Sequence, residues 1–159
     1  MRGVRNLFRW CGVALLVTIS SALITHAAAT TANEPTVEDL KAKLSSATGT
    51  ATDKTHICLQ IAQMQLTEAD KLYAAQDAEK AQPALTDVVE FSEKARDYSI
   101  QSRKNQKQTE IAVRGMARKL TDLMHSLPHD EQTAVREAIT RLQRVRDDLL
   151  VAMFPKGAQ

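Results

Sequence analysis

Apolar residues recur along most of this chain at helical spacing, three and four apart, with no stretch of strand-like alternation. From Ile57 to Tyr73 they fill a broad arc that includes Cys58, Ile61, Ala62, Met64, Leu66, Ala69 and Leu72, which predicts a helix over about 55–75 touching more than one neighbour. Asp53 is its expected N-cap. Gln76-Asp77 makes a tight connection, and Asp77 is placed to cap the next helix from Ala78. Pro83 falls in the second turn of that helix, where a kink or a later start is expected.

The next pattern is unusually long. Ala84, Val88, Phe91, Ala95, Tyr98, Ser102, Thr109, Val113, Met116, Leu120, Leu123 and Leu127 hold one phase on a 3.6-residue helix. A constant phase predicts one continuous helix over about 78–127, of roughly 65–75 Å at 1.5 Å per residue. Its middle is polar at Ser102, Asn105, Gln106 and Thr109. There it either crosses a gap between two packing regions or bends so that its halves fold together. Pro128-His129-Asp130 turns the chain into a last helix, with Asp130 as expected N-cap and Val135, Ala138, Ile139, Leu142, Val145, Leu149 and Met153 as its stripe. Phe154-Pro155 ends it. A short helix is expected over 37–47, on Val37, Leu40 and Leu44, followed by a polar Ser/Thr/Gly linker.

The fold class is therefore all-α: antiparallel helical hairpins sharing a long central helix, alternatively a compact four-helix bundle. Five Gly, four Pro and 4% aromatic residues in 159 fit neither a collagen-like chain nor an all-β domain. The segment from Ala69 to Ala81, with Leu85 after it, resembles the join between the two helices of a tetratricopeptide repeat. The resemblance covers under a fifth of the chain, has Gln76 at the usual Gly, and finds Arg103 where a repeat of 34 would return to Ala69. It implies a helical hairpin and nothing about function.

The N-terminus changes the charge arithmetic. Arg2, Arg5 and Arg9 precede an uncharged run from Cys11 to Thr25, and Ala27-Ala28-Ala29 fits a small-x-small cleavage site. The run is shorter than the roughly 20 apolar residues of a membrane span, so 1–29 reads as a signal peptide cleaved near Ala29 and the protein as secreted or periplasmic. An uncleaved anchor is the alternative, and only then is a membrane expected as partner. The expected divisions are 1–29 leader, 30–52 flexible segment with the short helix, 53–154 helical domain and 155–159 loose tail. Cleavage takes the net charge from +2 to −1, which removes the main support for nucleic-acid binding. It also leaves Cys58 as the only cysteine, buried by its place in the apolar arc and with no partner for an internal disulfide.

Charge is then segregated along what remains. Residues 30–93 carry net −6, residues 94–119 net +6 and residues 120–159 net −1. On a continuous helix Arg96, Arg103, Lys107, Arg114 and Arg118 fall within about 60° of one another, a candidate docking stripe for an acidic partner, an anionic polymer or lipid headgroups, or else a solvated face. His125 and His129 have the i, i+4 spacing of a metal pair, but Pro128 separates them and a third ligand is missing. No nucleophile elbow, phosphate loop or metalloprotease motif occurs, so no catalytic residue, cofactor or metal site is assigned. The expected function is an exported, non-enzymatic helical interaction or scaffold protein, with a protein partner or self-association. Two alternatives remain: a small-ligand or metal-binding bundle using Met64, Met116, Met124, His125 or His129, and an envelope chaperone or anionic-polymer binder using the basic stripe.

Overall fold

A computed structural model describes residues 35–46 and 49–155. The leader, its cleavage site, residues 30–34 and the tail from Lys156 lie outside the described residues. The rest is all-α, with five helices: α1 (Val37–Ser45), α2 (Ala51–Ala74), α3 (Ala78–Ser102), α4 (Gln106–Ser126) and α5 (Gln132–Met153).

The first two helices start the same way. At α1, the Thr36 hydroxyl accepts from the Asp39 amide at 3.2 Å while the Asp39 carboxylate accepts from the Thr36 amide at 3.1 Å. Thr50 and Asp53 repeat this at α2, at 3.2 and 3.0 Å. Each pair satisfies amide groups that a helix start leaves without partners. The N-cap of α2 is thus Thr50; Asp53, expected in that role, is the third helical residue and supplies the reciprocal half of the box.

The end of α2 and the start of α3 share one turn. The Asp77 amide donates to the Leu72 carbonyl at 2.9 Å and the Gln76 amide to the Tyr73 carbonyl at 3.0 Å, with Gln76 in the left-handed region at φ 60°. These are the two hydrogen bonds of a Schellman ending. Asp77 then turns its carboxylate to the Lys80 amide and ammonium, and caps α3 as expected. Pro83 lies exposed in the second turn of α3, and the helix starts ahead of it, at Ala78.

The continuous helix over 78–127 does not exist. It is interrupted at Arg103, Lys104 and Asn105, where Arg103 (φ 52°) and Asn105 (φ 61°) both take left-handed backbone. The Arg103 amide closes onto Ile100 O at 3.2 Å, and the Ser102 hydroxyl turns back to Tyr98 O at 2.8 Å. Here the polar middle marks a reversal, and the chain takes the compact alternative. No apolar side chain at Ser102, Asn105 or Gln106 needed a neighbour, so ending two helices there exposes little that water disfavours.

Side-chain pairs fix the topology. Gln65 reaches Asp87 across α2 and α3, which run antiparallel; Glu110 meets Arg146 across α4 and α5, also antiparallel. Glu93 pairs with Arg141 and Arg96 with Asp148, so α3 and α5 lie side by side and point the same way. The result is an up-down-up-down four-helix bundle. The α2–α3 and α4–α5 contacts are the most extensive, α3–α5 comes next, and α2–α4 is slight. Leu40 of α1 is buried as that helix packs on α2, and Lys41 bonds Asp87 of α3 at 2.7 Å.

The core is aliphatic, with Ile61, Val88, Val113, Leu120, Val135, Leu142, Val145 and Leu149 at most 1% exposed. At about 1.5–3 kcal/mol for each large side chain removed from water, these residues supply the main drive to collapse. Thr55, Ser92, Ser99 and Thr109 are also fully buried, the first three with hydroxyls bonded to a carbonyl of their own helix and Thr109 bonded to the Asn105 carbonyl just ahead of α4. Among the described residues no buried side-chain polar atom lacks a partner. The last helix begins at Gln132 with Glu131 at its N-cap position, where Asp130 was expected, and its start has no side-chain cap. Instead Gln132 donates to Leu127 O at 3.0 Å and ties off the end of α4.

Candidate functional site

The break at 103–105 divides the basic stripe. Arg96 stays on α3 and is committed to structure: its Nη1 bonds Asp148 of α5 at 2.8 Å, and it also pairs with Asp97. Arg114 on α4 lies 3.8 Å from Glu110. Arg103 sits in the reversal, and Lys107 and Arg118 on α4; all three are exposed, with no ion-pair partner among the described residues. The five residues therefore belong to two helices and a turn rather than to one face.

Two charge pairs hold the helices in register. Arg141 Nη2 donates to both Glu93 carboxylate oxygens, at 2.8 and 2.9 Å, and its Nε reaches Oε1 at 3.2 Å, which ties α5 to α3. Glu110 is buried and takes the Arg146 Nε at 2.8 Å. Its burial is tolerable because that partner, with Arg114 close by, compensates the charge.

The slight α2–α4 contact leaves the most open side of the bundle. Two adjoining grooves run along it, of about 470 and 520 Å³, and share Asp70, Leu123 and Ser126. Leu66 and Leu123 give the first an apolar lining; Asp70, Lys119 and Asp122 give it charge. Tyr73 and Glu131 line the second. Burial pushes the Tyr73 hydroxyl above its usual range, with Glu131 adding to the shift, so it remains a neutral hydrogen-bonding group. Such a lining suits an apolar side chain flanked by a base. Thr67 and Asp70 are exposed polar positions of α2, but which of them borders a groove depends on where α4 lies. No spacing within α2 carries that information.

The other candidate side chains are dispersed. His125 is exposed in the last turn of α4 and His129 is exposed beyond Pro128. Met116 is buried in the core, whereas Met64 and Met124 are half-buried against it. Among the described residues no three His, Cys, Asp or Glu side chains are grouped to hold a metal ion. His56 lies near the reversal, its Nε2 3.1 Å from the Asn105 amide nitrogen. Cys58 is fully buried, as its helical position predicts, and burial pushes its thiol up to about 12 against a weaker opposing pull from Lys94.

Comparison with protein families, curated proteins and solved structures finds no match to this chain.

Proposed function

We propose that this protein is an exported helical interaction module that works by binding a protein partner and performs no catalysis. The observation that carries this reading is the groove along the α2–α4 seam, an open channel lined by Leu66 and Leu123 and edged by two acids, Asp70 and Asp122, against one base, Lys119. A partner segment with an apolar residue beside a Lys or Arg complements it in shape and charge. Export rests on the Arg-rich start, the short apolar run and the Ala-x-Ala site.

A photo-crosslinking residue in place of Thr67, which lines the groove and is exposed, tests the first part. It should give a discrete protein adduct in the cells that make the chain. Ser126→Trp, which fills the groove from an exposed position, should abolish that adduct while leaving helicity unchanged. An adduct indifferent to Ser126→Trp, or none at all, removes the reading. Mass spectrometry of the exported form should find a terminus near Thr30; an intact Met1 would favour an anchored chain.

A further inference from the structure

The end of the bundle where α3 passes to α4 combines two surface features. Arg103, Lys104 and Lys107 are exposed there, with no ion-pair partner among the described residues. The last turn of α5 exposes Val151 by 69% and its C-cap residue Phe154 is 71% exposed, the two most exposed large apolar side chains of the described residues.

Helix register brings the two sets to the same level. The Arg96–Asp148 pair sets parallel α3 against α5, and seven residues further along the chain from each lie Arg103, just past the end of α3, and Pro155, two residues past the end of α5. The Glu110–Arg146 pair sets antiparallel α4 against α5, which puts Lys107 level with Leu149 and Asn105 with Val151. Around the opposite end, at the α2–α3 and α4–α5 turns, residues 68–82 and 119–136 carry seven acidic and four basic side chains, net −3, whereas at the α3–α4 end residues 51–56, 96–107 and 146–154 carry six basic and four acidic, net +2. The bundle is therefore polarised along its axis, basic and apolar at one end and acidic at the other.

We propose that the α3–α4 end docks on a bilayer of anionic phospholipid, with Arg103, Lys104 and Lys107 at the phosphates and Val151 and Phe154 in the acyl boundary. The acidic far end orients the molecule, because an anionic plane repels it while attracting the basic tip. Each Lys or Arg held near such a surface strengthens binding by about fivefold, and the apolar pair adds the part that salt does not screen. A soluble polyanion would use the cations and leave Phe154 in water. A two-fold pairing of tips between copies would set like charges face to face. This docking is separate from the α2–α4 groove, which lies toward the other end.

Co-sedimentation of the exported form, starting near Thr30, with phosphatidylglycerol vesicles, and with phosphatidylcholine vesicles, tests the proposal. Binding should favour phosphatidylglycerol and weaken with salt. Arg103→Glu with Lys107→Glu should lower binding by more than about twentyfold, from two lost fivefold contributions. Phe154→Ser, at an exposed site, should lower it several-fold with helicity unchanged, whereas Arg118→Glu, on α4 away from the tip, should change it little. Equal binding to phosphatidylcholine, or binding indifferent to both tip variants, overturns the proposal. So does concentration-dependent self-association abolished by Phe154→Ser without any vesicle binding, which would make a second copy the occupant. The tip variants should leave the Thr67 adduct intact, so the two readings fail separately.

Discussion

The turn at Gln76 and the reversal at 103–105 both place non-glycine residues at positive φ, yet they are held in different ways. At Gln76 two backbone bonds end α2 and the Asp77 carboxylate starts α3 within the same few residues. At 103–105 two left-handed residues flank Lys104, and Asn105 offers no side-chain cap to α4. Its amide is turned to His56 of α2 instead. Local hydrogen bonds both end and start a helix at the first turn, whereas at the second, bonds to Ile100 O and Tyr98 O end α3 and no side chain caps α4. The second depends on what its helices reach afterwards, including Glu110–Arg146 and the buried faces of α4 and α5.

Proline separates the two kinds of site most sharply. Ala95→Pro, in the buried middle of α3, should cost about 3 kcal/mol or more, because it removes a helical bond and clashes with the preceding turn. Gln106→Pro stands at the first position of α4, where proline is tolerated, and should cost less than about 2 kcal/mol; the remainder comes from forcing Asn105 out of its conformation. Urea denaturation of both variants measures the gap. Equal losses would mean that α3 and α4 are one helix after all.

The Glu110–Arg146 pair should respond unequally to its two halves. Arg146→Ala leaves a buried carboxylate with only Arg114 nearby and should cost about 1–3 kcal/mol. Glu110→Gln leaves an arginine whose side chain is 40% exposed and can turn to water, so it should cost less. Reversal of that order in denaturation would show that α4 does not lean on this contact.

Glycine should sharpen the comparison at the scale of about 0.5–1 kcal/mol. Gln76→Gly and Arg103→Gly each relieve a left-handed residue with a Cβ and should raise stability by that amount. Asn105→Gly should be close to neutral, since asparagine tolerates that conformation and glycine forfeits the His56 contact.

Acid should act least, at the capped ends and at the mid-α3 Glu90, whose carboxyl the Lys94 bond also holds down. Bonds from the Thr36 and Thr50 hydroxyls, then from their amides, hold the Asp39 and Asp53 carboxyls below the ordinary value of 3.8. A depressed carboxyl contributes stability above its unfolded pKa and loses it as pH falls through the folded one. Amide protection at the starts of α1 and α2 should therefore decline below about pH 4, while the starts of α4 and α5, which lack side-chain caps, stay unchanged.

The same contrast explains what the sequence disclosed. Helices α2 and α5, the Asp77 cap and the burial of Cys58 follow from periodicity and capping chemistry within one segment. The reversal was hidden by a coincidence of spacing: Ser102 and Thr109 are seven residues apart, two helical turns, so the apolar phase of α4 matches that of α3 although the backbone between them is broken. The polar run at 102–106, with an asparagine able to take left-handed backbone, was the available signal. The Thr-x-x-Asp boxes at 36 and 50 were also legible in local sequence, as reciprocal caps. The basic stripe rested on unbroken geometry and lost its single face with it. The α2–α4 groove arises only when two helices far apart in sequence meet, so nothing local announced it.

Cys58 makes the bundle a recorder of its own openings. A thiol must lose its proton to react, and this one is both out of reach and pushed up to about 12. Alkylation therefore waits for the wall of the core around α2 to part. Each labelled molecule marks one excursion from the closed state, and the labelling rate follows how often α2 separates from its neighbours. Applied to the glycine and proline variants, that rate would tell whether a change at either reversal loosens the whole bundle or only its nearest hairpin.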